Sequence, residues 1–244
     1  MKSFRNPKYL ERYEDVVYDL EQPLDTTLAN NAHQTKEGLR FVADNTGETT
    51  PFDWYNARLS MDFKVNKLAG GNIAAADHNG IVNGSNSFIK KLSILANGRE
   101  VYSCLYANHV VNIKNLLEYS PSYAKSVASN EFYFLDTSRD AEEREFEVSG
   151  TNQLAKRRAE YSKGFAARKA LLGASATVNC EIPLNRYSFF EALEDKLLPK
   201  TKIELNIEIE EDSNLIFQAT DNCRVIITRI QLFIPKLMFN SEGQ

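Results

Sequence analysis

Three histidines, three cysteines and a cluster of acids are the residues of this 244-residue chain best suited to chemistry. A metal site needs ligands at short, fixed spacing, typically two histidines on one helix face or cysteines in close pairs. His33, His78 and His109 stand far apart, and Cys104, Cys180 and Cys223 make no pair of ligand spacing. Nucleophilic catalysis would call for a serine on a Gly-x-Ser-x-Gly elbow, and phosphate binding for a glycine-rich loop running into Lys-Ser or Lys-Thr; neither motif occurs. Gly70 and Gly71 lead into Asn72 and a small-residue loop, which reads as a flexible turn. Glu208, Glu210, Glu211 and Asp212 could suggest calcium binding or acid catalysis, but alternation places Glu208 and Glu210 on a solvated strand face. No catalytic residue, cofactor or metal is therefore expected, and the chain is not read as an enzyme.

What remains is segregated charge. Residues 139 to 147 carry five acids against two arginines. Residues 156 to 169 carry six bases, Lys156, Arg157, Arg158, Lys163, Arg168 and Lys169, against Glu160 alone. With only Tyr161 and Phe165 as aromatic neighbours, the basic run lacks the stacking platforms of a single-strand nucleic-acid binder. A formal net charge of -4 adds no overall drive toward nucleic acid. The run is read as a contact loop toward another protein subunit, whose acidic segments 139 to 147 or 204 to 212 would match it. A plain solvated loop is the alternative.

The elements that must carry these groups follow from periodicity. From Tyr55 to Val65 apolar and polar residues alternate for eleven positions, which predicts a half-buried strand. Ile81-Val82 and residues 88 to 95 continue as strand, and Asn97-Gly98 predicts a tight hairpin into residues 100 to 102. Val110, Ile113, Leu116 and Leu117 recur at three and four residues, predicting a short amphipathic helix that ends at Ser120-Pro121, with a second helical piece over 122 to 129. Residues 136 to 170 hold no convincing strand and are expected to form a long functional or assembly loop. Strands are predicted over 176 to 182, 203 to 209, 214 to 218 and 224 to 234. A capping box, Ser188 with Glu191, predicts a helix of about ten residues between the first two of these strands.

Seven or eight strands without a βαβ rhythm imply an all-β fold, an antiparallel jelly-roll sandwich with short helices inserted in the connecting loops. Residues 1 to 50 are expected to be a partly flexible N-terminal arm with one strand-like cluster at Val16, Val17, Tyr18 and Leu20. Residues 51 to 244 are expected to be the single jelly-roll domain. The apolar closing strand, with Pro235 to Gln244 read as the start of a linker, predicts that a second lobe continues from it. A hydrophobic fraction of 43% is enough for a real core. The odd, scattered cysteines do not make a disulfide framework, and neither a secretory leader nor an 18-residue apolar run is present. The expected setting is therefore the cytosol or nucleus, or something assembled there.

Five segments carry a family resemblance: residues 62 to 68 (DFKVNKL), 107 to 120 (ANHVVNIKNLLEYS), 130 to 137 (NEFYFLDT), 163 to 173 (KGFAARKALLG) and 182 to 191 (IPLNRYSFFE). Together they resemble the N-terminal half of the double jelly-roll major capsid proteins of Polinton/Maverick elements and adintovirus-like viruses, over about residues 52 to 244. The resemblance implies a structural, non-enzymatic capsid protein of the virion, made in the host cytoplasm and assembled there or in the nucleus. It implies other capsid subunits as partners: a homotrimer for the two-lobed parent, forming pseudo-hexagonal capsomers of an icosahedral shell, with penton or minor capsid proteins as further contacts. It implies no small-molecule substrate, no specific nucleic acid and no membrane insertion. The rival reading is a jelly-roll binding module for carbohydrate or protein, and Trp54 at the start of a strand reads as core or interface rather than a sugar platform.

Overall fold

The computed structural model describes residues 10–22, 24, 38–47, 50–74, 78–136, 163–198, 200–218 and 223–239. In chain order the strands are β1 (Leu10–Tyr18), β2 (Leu39–Asp44), β3 (Arg58–Lys67), β4 (His78–Ile81), β5 (Ile89–Ala96) and β6 (Arg99–Cys104). After a long excursion come β7 (Val178–Pro183), β8 (Lys202–Ile209), β9 (Ile216–Gln218) and β10 (Cys223–Phe239). One sheet runs β1-β10-β3-β7, the other β2-β8-β5-β6, and β4 pairs with β9 in a small ribbon. Setting that ribbon aside, the pairs are nested: first strand with eighth, second with seventh, third with sixth, fourth with fifth. Rolling up one long antiparallel hairpin produces this order, so the architecture is the expected antiparallel jelly roll.

The core lies between the two sheets. Leu59, Met61, Phe63 and Val65 of β3 are fully buried, alternating with partly exposed Ser60, Asp62 and Lys64 as the sequence pattern requires. Phe41, Leu92, Ile94, Ile203, Leu205 and Ile207 face them from the other sheet and join the same cluster. The β5–β6 turn has Asn97 at φ 50° and Gly98 at φ 77°, the two positive angles that an Asn-Gly hairpin supplies most cheaply.

Three expectations change. The first concerns the arm over residues 1 to 50, which contains two strands of the sandwich: β1 pairs along β10, and β2 pairs along β8 with Leu39, Phe41 and Ala43 buried. Only the Val16, Val17 and Tyr18 end of β1 shows in the sequence, because the rest of this edge strand, LERYED, is mostly charged. β2 escaped because three buried side chains in six residues give a very short periodic signal.

The second concerns Pro235, which sits inside β10 rather than opening a linker. Pairing of β10 with β3 stops at Phe233 opposite Arg58, and beyond it the Pro51–Asp53 backbone takes over, the Asp53 N–H donating to the Pro235 carbonyl at 2.8 Å. Pro235 turns its carbonyl, and with it the side of the missing N–H, toward Asp53 and away from β1, so no bond to β1 is lost and β1 continues to pair opposite it, Asp15 against Pro235.

The third concerns the capping box. The helix at Ser188–Glu191 has four residues, and the Ser188 hydroxyl does not cap it. Its apolar stripe acts as a short plug: Phe190 stacks on Trp54 with ring centroids 5.7 Å apart, and Leu193 is buried.

Candidate assembly surface

The excursion between β6 and β7 carries most of the helices of the described residues. It opens with α1 (Ala107–Glu118) and α2 (Pro121–Ala124), passes through a 3-10 turn at Val127–Glu131, and returns through α3 (Lys163–Leu171). A helix therefore stands at 163 to 171, inside the span that was expected to be loop throughout. α2 starts where proline fits best, at the first helical position, with the Ser120 hydroxyl accepting from the Tyr123 N–H.

The predicted amphipathic helix is present, and it turns its apolar stripe outward. Val110, Ile113, Leu116 and Leu117, the residues whose spacing predicted a helix, are 51, 59, 69 and 81% exposed. The inward face is Ala107, Asn108, Val111 and Asn115. It is held by polar contacts: the Asn108 amide donates to Glu210 Oε2 at 2.7 Å, the Asn112 amide to Ser87 Oγ at 2.8 Å, and Arg186 Nε to Asn115 Oδ1 at 2.8 Å. Periodicity identified the stripe, but it could not say which way the stripe faced, because a neighbouring carboxylate, hydroxyl and guanidinium make an asparagine face suitable for burial.

Glu210 therefore lies in the structure rather than on the solvated strand face that alternation had suggested; it is 6% exposed. Burial pushes its carboxyl up, but donation from Asn214, the Glu211 N–H and Asn108 outweighs this and holds it below the usual carboxylate range. Since the folded-state value lies below the unfolded one, its contribution is complete above the ordinary carboxylate range and is lost as pH falls through the depressed value. Glu210→Gln should cost about 1 kcal/mol near neutral pH and flatten the loss of thermal stability between about pH 5 and pH 2. Melting curves across that range provide the check, and an unchanged acid limb would count against the assignment.

Of the six bases singled out in the sequence, Lys156, Arg157 and Arg158 lie outside the described residues. Lys163 is exposed at the start of α3, and Lys169 is partly buried. Arg168 is only 2% exposed and points inward. Its guanidinium donates to both Asp136 oxygens, at 3.1 and 3.2 Å, and to the Ile81 carbonyl at 3.1 Å, while lying over the Phe165 ring. The same helix docks by close approach: the Phe165 ring occupies the space that a Cβ on Gly80 would enter at 2.5 Å. A cavity of about 660 Å³ opens between α1 and α3, walled by Asn108, Asn112, Leu116, Phe165, Glu210 and Phe217.

A second polar cluster clamps the turn after α2. The hydroxyls of Tyr119 and Tyr123 both donate to the Glu131 carboxylate. Burial, together with that carboxylate, pushes Tyr123 up to about 12 and raises Tyr119 further, so both phenols stay neutral and act as donors. Burial likewise raises the Cys180 thiol, with Asp62 and Glu181 adding to the effect, which leaves it a packed thiol and a poor nucleophile. Among the described residues no group of three or more His, Cys, Asp or Glu side chains could hold a metal ion, and no helix is long and apolar enough to cross a membrane.

No known protein family and no curated protein matches the sequence. The fold is similar to a chain in the cryo-EM structure of the Sputnik virophage, with 9% identity and a TM-score of 0.54, covering 99% of this chain and 50% of that one. It is also similar to the Faustovirus major capsid protein, with 10% identity and a TM-score of 0.50, covering 99% of this chain and 57% of that one. This chain spans about half the length of the chains it matches. At such identities the likeness defines the fold alone: an antiparallel jelly roll with an insertion between its fifth and sixth sandwich strands.

Proposed function

We propose that this chain is a jelly-roll lobe of a viral major capsid protein, a structural and non-enzymatic building block of a virion shell. The observation that carries this reading is the nested eight-strand roll, bearing a helical excursion between β6 and β7 and similar over 99% of its length to 57% of the Faustovirus major capsid protein. A shell subunit needs a rigid sandwich and protruding segments for its neighbours, and the roll and the β6–β7 excursion supply both.

The finer reading rests on the five sequence segments named above. They support the N-terminal lobe of a double jelly-roll capsid protein of the Polinton/Maverick and adintovirus type, with a homotrimer as the capsomer and other capsid subunits, penton and minor proteins included, as its neighbours. The protein would be made in the host cytoplasm and act in the virion, with assembly in the cytoplasm or nucleus. In this reading the basic segment from Lys156 to Lys169 fixes register against a neighbour's acidic surface, with Arg168 serving inside its own chain. Electron microscopy of the complete reading frame, expressed alone, tests the proposal. Trimers and shell-like arrays are expected, and a stable monomer or formless aggregate under all assembly conditions would overturn it.

A further inference from the structure

The outer face of α1 has the spacing of a helix-pairing seam. Tyr106, Val110, Ile113 and Leu117 follow one another by four, three and four residues, the a/d repeat by which one helix packs lengthwise on another. Leu105 and Leu116 flank them, and all six side chains are more than half exposed. A helix that packed only on its own roll would turn such a stripe inward, whereas here the inward face is Ala107, Asn108, Val111 and Asn115. These six residues together expose on the order of 700 Å², close to the roughly 800 Å² per partner of a stable interface and above the apolar patch that most monomers tolerate.

The charges beside the seam are already matched within the chain. Lys114 pairs with Glu191 at 2.5 Å, and Glu118 pairs with Arg186 at 2.9 Å. A symmetric copy would therefore bring no unmatched like charge against this face, which suits a self-complementary contact. The face also adjoins an open sheet edge, since β6, which leads into Leu105, is the outer strand of its sheet.

We propose that α1 is covered by α1 of a second copy of this chain, seam against seam about a symmetry axis. The inference deepens the capsid reading, on which it rests for the presence of many copies. The seam is centred between Val110 and Ile113, so Ile113 faces its own counterpart in a parallel pair and lies within one helical turn of it, about 5 Å along the axis, in an antiparallel one.

Sedimentation of the 244-residue chain from low to high micromolar concentration tests it, with Leu117→Glu as the disrupting variant and Ile113→Cys as a cross-linking variant under mild oxidation. Both positions are exposed, so both variants should fold, as circular dichroism will verify. The parent chain should self-associate, Leu117→Glu should weaken that association at least tenfold, and Ile113→Cys should form a covalent dimer that the parent chain does not. A parent chain that stays monomeric, or an oligomer indifferent to Leu117→Glu, would overturn the proposal. So would an oligomer that Leu117→Glu dissociates but Ile113→Cys fails to cross-link, because α1 would then pack on another surface. Each of these outcomes is separate from shell formation by the complete reading frame, which microscopy reads independently.

Discussion

Phe63→Ala should destabilise the roll by about 4 kcal/mol and move the urea midpoint of unfolding down by on the order of 1.5 M. Phe63 is fully buried in the middle of β3, with β10 hydrogen-bonded on one side and β7 on the other. Its ring meets Phe88 at 4.7 Å and stands edge-on to Phe132 at 5.3 Å. Phe88 ends the turn before β5, and Phe132 belongs to the returning excursion, so one side chain joins three parts of the chain. Removing it leaves a void bounded by strands that cannot close on it without breaking their ladders, which places the cost near the upper part of the usual range. Phe132→Ala should be less than additive with it, because the two rings share one contact. Leu117→Ala, on the exposed face of α1, should stay within about 0.5 kcal/mol of the parent. A loss below about 1 kcal/mol for Phe63→Ala would mean that the excursion is not packed on the roll as described.

The strands most legible in the sequence were those buried on one face only. β3 and β8 alternate because one side of each packs into the sandwich, and the Asn97-Gly98 hairpin shows itself because few other residues accept two successive positive φ angles. β1 was legible only at its Val16, Val17 and Tyr18 end: as an edge strand next to β10 it carries four charges among its first six residues, and composition there looks like a tail. Periodicity over α1 gave the helix but not its orientation, since apolar spacing marks a stripe that some surface must cover and says nothing about which surface. The information that decides is remote in sequence: Glu210 and Arg186 turn Asn108 and Asn115 inward from 102 and 71 residues away. α3 was missed because Arg168 and Lys169 make it look like part of a solvated basic run, and the position of Asp136 is what draws the first of them into the interior.

Arg168→Met should cost about 3 kcal/mol, the lower end for breaking a buried ion pair, because Asp136 keeps a half-exposed side chain and can return to water. Methionine retains much of the apolar stem that packs beside Phe165 while removing every donor. The Ile81 carbonyl and the Asp136 carboxylate then lose the guanidinium that links β4, residues 134 to 136 and α3. Hydrogen exchange should therefore rise in α3 and around residues 133 to 136, while β3 and β10, which share no bond with Arg168, keep their protection. Lys169→Met, one position along on a partly buried site, should change stability by no more than about 0.5 kcal/mol. Asp136→Asn should cost less than Arg168→Met, since the amide still accepts one bond and the link to Ile81 survives. If Arg168→Met leaves both stability and α3 protection unchanged, the excursion is held by other contacts and Arg168 is available to the proposed subunit contact. If it loosens α3 alone, Arg168 acts inside its own chain, and the proposed subunit contact is left to the flanking bases Lys156, Arg157, Arg158, Lys163 and Lys169.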